Sequence, residues 1–173
     1  MATRPVETGP TGERVAANIA KIRRQRGWDQ RKLADRMTEV GRPMRASVIS
    51  KIEKGDRRVD VDDLVALARA LKVSPVTLML PGRDEREPVP LLPGETVSWQ
   101  GAWRWMHASA PPPEDVREDD FIGLLNWLAE NRPYLSEGEF RRQHPGVHEK
   151  AADQFMDTDT REEEEGEEDG PGS

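Results

Sequence analysis

The chain contains no cysteine, which excludes a disulfide framework and any Cys-ligated metal site. It has no run of about 18 apolar residues, the length a membrane-crossing helix requires. Residues Met1 to Pro10 lack an apolar core of signal-peptide length. These absences lead to the expectation of a soluble, cytoplasmic protein without membrane contact. Histidine is scarce, with three copies. His144 and His148 fall at i, i+4, but Pro145 and Gly146 interrupt any helix between them and no third ligand stands nearby, so no metal is expected. His107 is isolated among surface-type residues and receives no role. No Gly-rich phosphate loop, nucleophile elbow or carboxylate pair with a histidine partner is visible. Neither an enzyme activity nor a cofactor is therefore expected.

Charge is what the chain has in abundance. With 173 residues, 35% apolar and 34% charged, there is room for one small domain with appendages. The net charge of −7 hides a division: residues 1–82 carry 17 Lys and Arg against 10 Asp and Glu, a net of +7, and residues 83–173 carry a net of −14. A basic front joined to an acidic back suggests that the front meets a polyanion. Arg greatly outnumbers Lys, and Ala, Gly and Pro are plentiful, as in a GC-rich bacterial genome.

The front half carries repeated helix signals. Val15, Ile19 and Ile22 fall at i, i+4 and i+7, predicting a helix from about Gly12 to Arg26, closed by Gly27. Asp29 is placed to cap a second helix, with Trp28 packing on Leu33 as a hydrophobic staple. The same device recurs as Val59, Asp60 and Leu64, then as Val73, Ser74 and Leu78, with Pro75 at the first helical position. Leu64, Leu67, Ala68 and Leu71 give the fourth helix its buried face. Between the second and fourth helices, Arg45 to Lys54 offers only a narrow apolar edge of Val48, Ile49 and Ile52. A helix so small and polar suits the major groove of DNA better than burial.

Three segments taken in order carry a family resemblance: Gln30-Arg31-Lys32-Leu33-Ala34, Val48-Ile49-Ser50-Lys51-Ile52-Glu53-Lys54-Gly55, and Asp62-Asp63-Leu64-Val65-Ala66-Leu67-Ala68-Arg69-Ala70-Leu71. Together they resemble the helix-turn-helix domain of the Cro/phage-repressor family, also called the xenobiotic-response-element type, over roughly residues 11–80. The resemblance implies an all-α, five-helix domain and binding to double-stranded DNA. It makes Ala34 the small residue that lets the third helix approach, Ile49 and Ile52 the core anchors, and Arg23 and Glu53 a structural ion pair between the first and third helices. It also implies phosphate contact by Gln30, reinforced by the free N–H groups at that helix end. Arg42, Lys54, Arg57 and Arg58 flank the same face and are expected to touch phosphates. Arg45, Ala46, Ser47 and Lys51 are expected to read bases. Two departures stand out: Thr38 to Met44 lengthens the usual turn by about five residues, and Arg45 occupies a position where Ser or Thr commonly caps.

The expected organisation is a disordered N-terminus (1–10), the DNA-binding domain (11–82), a linker rich in charge and proline (83–94), a small Trp-rich helical segment (95–145), and a disordered acidic tail (146–173). Within the back half, Trp99, Trp103 and Met106 form one stripe, and Phe121, Leu124, Leu125 and Leu128 another, after the Pro111-Pro112-Pro113 break. The two are expected to pair as a helical hairpin, with a further short helix marked by Leu135, Ser136, Glu139 and Phe140. So small a core suggests homodimerisation or a protein partner bound through residues 95–143. The acidic run Glu162 to Asp169 is expected to solvate the chain, or to compete with DNA for the basic face.

The leading expectation is a sequence-specific transcriptional regulator, a repressor reading the major groove with helix 45–54. The alternative is an antitoxin or phage-like regulator whose Trp-rich half holds a protein partner while DNA binding serves autoregulation. A third reading, a small-molecule sensor, is permitted by the tryptophans, but no convergent polar site can be named from sequence.

Overall fold

The computed structural model describes residues 8–83, 85–112 and 121–132. These fall into two compact units, the first ending at His107 and the second beginning at Ala108. The capping box at Ser136, the histidines at 144 and 148 and the acidic run all lie outside the described residues.

The first unit begins with five helices: α1 (Pro10–Gln25), α2 (Gln30–Glu39), α3 (Ala46–Glu53), α4 (Val61–Ala70) and α5 (Pro75–Met79). Capping decides where three of them start. Asp29 accepts a hydrogen bond from the Lys32 backbone N–H, Asp60 from that of Asp63, and Ser74 from that of Val76. Each supplies an acceptor for an N–H that the first helical turn leaves unpaired. The core between the helices contains Ile19, Leu33, Met37, Ile49, Ile52, Leu67, Leu71 and Leu78, all fully buried. Each such side chain contributes about 1.5–3 kcal/mol by leaving water.

Four helices end in the same way, and one of them does so against its residue type. After α1, α2 and α3 a glycine adopts a left-handed φ of +68°, +85° and +79° at positions 27, 41 and 55. In each case its N–H and the next one bond back to the last turn, as in a Schellman motif. After α4 the same two bonds form, Lys72 to Arg69 and Val73 to Ala68, but the left-handed residue is Lys72 at φ +49°. A side chain there is strained by its Cβ.

Beyond α5 the structure departs from the expected linker. Residues Val89–Leu92 form β1 and Glu95–Val97 form β2, antiparallel, with a bulge between Pro90 and Leu92 and Gly94 in the turn. Residues 83–94 are therefore not simply a connector, and the described chain is mostly rather than wholly helical. The hairpin is anchored to α1, where the Thr11 hydroxyl donates to the Leu91 carbonyl at 2.7 Å. Ser98 caps α6 (Trp99–Met106). A second apolar cluster gathers Leu80, Val89, Leu91, Val97 and Ala102 under Trp99, Trp103 and Trp105. Asn18, itself buried, donates from its amide to the carbonyls of Leu78 (3.0 Å) and Leu80 (2.9 Å) and so binds α1 to the end of α5. The two aromatic stripes fall in different compact units: α6 lies in the first and α7 (Phe121–Asn131) in the second. At the start of the chain, α1 begins at Pro10, two residues before the expected start and inside the stretch read as unstructured.

Replacing Lys72 by glycine is expected to stabilise the protein by about 0.5–1 kcal/mol, net of the extra freedom gained by the unfolded chain. Equilibrium denaturant unfolding checks this; a loss of stability would show that Lys72 is not strained.

Candidate nucleic-acid interface

The short helix α3 has one buried side and one open side. Ile49 and Ile52 are fully buried and Val48 packs against them. Arg45, Ser47, Lys51 and Lys54 are exposed, while Ala46 and Ser50 are partly so. Arg45 is the N-cap, in extended conformation and with no side-chain cap, so the helix occupies 46–53 rather than 45–54. The lengthened turn before it is closed locally: Arg42 donates its N–H to the Met37 carbonyl at 3.0 Å, and Met44 is buried in the core. Those two contacts absorb the extra residues without leaving α3 loose.

The orientation of α3 is set by its last residue, Glu53. Arg23 of α1 donates to it twice, Nε to Oε1 at 2.6 Å and Nη2 to Oε2 at 2.9 Å. Gln30, the first residue of α2, donates Nε2 to Oε2 at 2.8 Å. The third arm of the guanidinium donates to the Trp28 carbonyl at 2.6 Å, in the loop between α1 and α2. The Arg23 and Glu53 side chains are only 11% and 7% exposed. One buried carboxylate thus joins the first, second and third helices. Burial pushes the Glu53 carboxyl up, but hydrogen bonds from Arg23 and Gln30 and the charges of Arg23 and Arg24 outweigh it. Its pKa accordingly lies below the ordinary carboxylate value.

A second acidic centre, absent from the sequence reading, sits at the start of α4. Asp63 has a side chain only 2% exposed and accepts from Arg42 Nε and from Arg57 Nη2, each at 2.9 Å. Its only signal in the sequence is the acidic run Asp60 to Asp63 following Arg57-Arg58. Two of the expected phosphate-binding arginines are therefore also structural, bracing the turn before α3 and the loop after it. Their bidentate-capable guanidiniums keep further N–H groups beyond those given to Asp63. Gln30 is likewise shared with Glu53. Lys54 and Arg58 are exposed and make no ion pair among the described residues. Asp29 and Trp28 complete the edge, with the Arg26 and Arg36 guanidiniums each 5.5 Å from the Trp28 ring centre.

The arrangement presents a helix of about two turns, anchored from behind and flanked on either side by fixed cations. Chemically it can donate hydrogen bonds and positive charge to an anionic groove. Among the described residues no group of His, Asp and Glu could hold a metal, and no helix is long and apolar enough to cross a membrane.

Removing one partner of the buried pair, as in Arg23→Met, is expected to cost about 3–5 kcal/mol, because Glu53 is left charged and unpaired. The double variant Arg23→Met, Glu53→Leu should recover much of that loss, measured by denaturant unfolding as a double-mutant cycle. The pH dependence follows from the lowered Glu53 pKa. Its contribution is complete above the unfolded carboxyl value of about 4.3 and is lost as pH falls through the lower folded value. Glu53→Gln should flatten that part of the acid-unfolding curve; an unchanged curve would contradict the assignment.

Comparison with known proteins locates the same segment. Residues 19–78, from the middle of α1 to near the end of α5, match the family model described as helix-turn-helix. No curated protein and no solved structure matches the chain.

Proposed function

We propose that the Cro/C1-type, xenobiotic-response-element-family helix-turn-helix domain at residues 19–78 makes this protein a sequence-specific regulator that enters the major groove of double-stranded DNA with α3. The domain is a DNA-binding regulatory one, not an enzymatic one. The observation that carries the finer reading is the two-sided α3. Its apolar side and Glu53 are locked into the domain, and Arg45, Ser47 and Lys51 stand on the open side. In this reading Arg45 and Lys51 donate to guanine edges, Ser47 bonds a base with less selectivity, and Ala46 meets a thymine methyl. Gln30, Arg42, Lys54, Arg57 and Arg58 hold phosphates and set the register.

The protein acts as a homodimer on a two-fold operator and represses by occupying it. The reading of an antitoxin whose Trp-rich segment grips a partner is less well supported. Trp99 and Trp103 donate their indole N–H groups to the Gly82 and Pro81 carbonyls of the same unit, which explains much of that aromatic density without a partner.

Two variants separate base reading from phosphate holding. Lys51→Ala is expected to alter preference at one or two base pairs, each change amounting to about 1–3 kcal/mol. Arg58→Ala, which disturbs no ion pair among the described residues, should weaken all sequences alike and reduce the slope of log affinity against log salt by about 1. Competition binding across a site library at several salt concentrations makes the distinction. Uniform loss in both variants would contradict the assigned roles.

A further inference from the structure

A cleft of about 490 Å³ opens between α1, the end of α5 and α6, on residues that the DNA-binding reading does not use. Ligand pockets for small organic molecules typically fall between about 300 and 1,000 Å³. Its apolar wall is made by Ile22, Leu80, Trp99 and Trp103. The two indoles are preset rather than adaptable. Their N–H groups are committed to the Gly82 and Pro81 carbonyls at 3.2 Å, Trp103 stacks on His107, and the Arg86 guanidinium lies 5.7 Å from the Trp99 ring centre. Rings held this way present flat aromatic surface without paying ordering entropy when something binds.

The polar rim is short and positive. Lys21, Gln25 and Arg83 line it. Lys21 is paired with Glu85, and the Asn18 amide on the wall is occupied by backbone carbonyls. Gln25 and Arg83 have side chains with no hydrogen-bond or ion-pair partner among the described residues. A guanidinium with no partner among the described residues, beside a wall of fixed indoles, matches a planar aromatic body ending in a carboxylate, with the carboxylate on Arg83.

We propose that this cleft is a binding site for a planar aromatic carboxylate. The ligand stacks against Trp99 and Trp103 and pairs with Arg83. It sits against the stretch of α1 that continues into Arg23, so it touches the helix that orients α3 without touching the DNA-reading face.

The test uses the full-length protein and 2-naphthoate as probe. The chain has five tryptophans, so five indole N–H signals in a ¹⁵N-correlated NMR spectrum, assigned by single Trp→Phe variants, report on separate places. Saturable shifts of the Trp99 and Trp103 signals are expected, with that of Trp28 unmoved. The neutral 2-naphthamide and the cationic 2-naphthylmethylamine should bind at least about ten-fold more weakly, the usual margin for a charge-assisted contact. Arg83→Gln should remove the advantage of the carboxylate over the amide. Gly82→Met should abolish binding of all three probes by filling the cleft. A Cβ at Gly82 meets nothing closer than Lys21 Nζ at 3.6 Å, so the fold tolerates it, as unchanged DNA affinity and unfolding will verify. The proposal is overturned if no saturation is reached by about 10 mM, a range that already includes very weak ligands. It is equally overturned if all three probes bind alike, or if 2-naphthoate binds Gly82→Met as it binds the wild type.

Discussion

A single buried carboxylate, that of Glu53, determines where the short helix α3 can point. α3 is eight residues long, far below the length at which a helix is stable by itself. Its two fully buried isoleucines fix its depth in the domain and the side it buries, but two contacts one turn apart leave the tilt of its axis loosely held. The paired hydrogen bonds from Arg23 supply the missing constraint, since a planar guanidinium and a planar carboxylate meet well in only one relative orientation. Gln30 and the Trp28 carbonyl extend that constraint to the start of α2 and to the preceding loop. Desolvating such a pair is costly, so its worth lies in fixing geometry more than in raw stability.

Asp63 repeats the principle at the other end of the motif. By holding Arg42 and Arg57, it ties the lengthened turn before α3 and the loop after it to the start of α4. The cations of this face therefore divide by environment. Some have a buried carboxylate to answer to, and Arg45, Lys51, Lys54 and Arg58 face water. A surface of cations unpaired among the described residues, beside rigid, already neutralised ones, suits a polyanion with regular spacing, because binding requires little reordering of side chains.

What was legible in the sequence is what is local. Asp29, Asp60 and Ser74 announce helix starts through contacts two or three residues away, and each cap is present. The stripe of Val15, Ile19 and Ile22 likewise reports one face of one helix. Features that depend on distant partners were hidden. Pro90 and Pro93 make residues 83–94 look like a connector, although Val89, Leu91 and Val97 alternate into a buried cluster. Nothing near Trp99 or Trp103 in sequence indicates that their indoles seek the carbonyls of Gly82 and Pro81. Asp63 belongs to an acidic helix start, where exposed carboxylates are ordinary; only the fold brings two arginines onto it.

The most direct test of the account is selection of bound duplexes from a random DNA library by the full-length protein at about 150 mM salt, where nonspecific phosphate binding is weak. The account predicts an enriched two-fold-symmetric motif whose half-sites lie about one helical turn apart, with guanine at the positions facing Arg45 or Lys51. Binding that enriches no motif and simply fades as salt rises would contradict a base-reading role for α3.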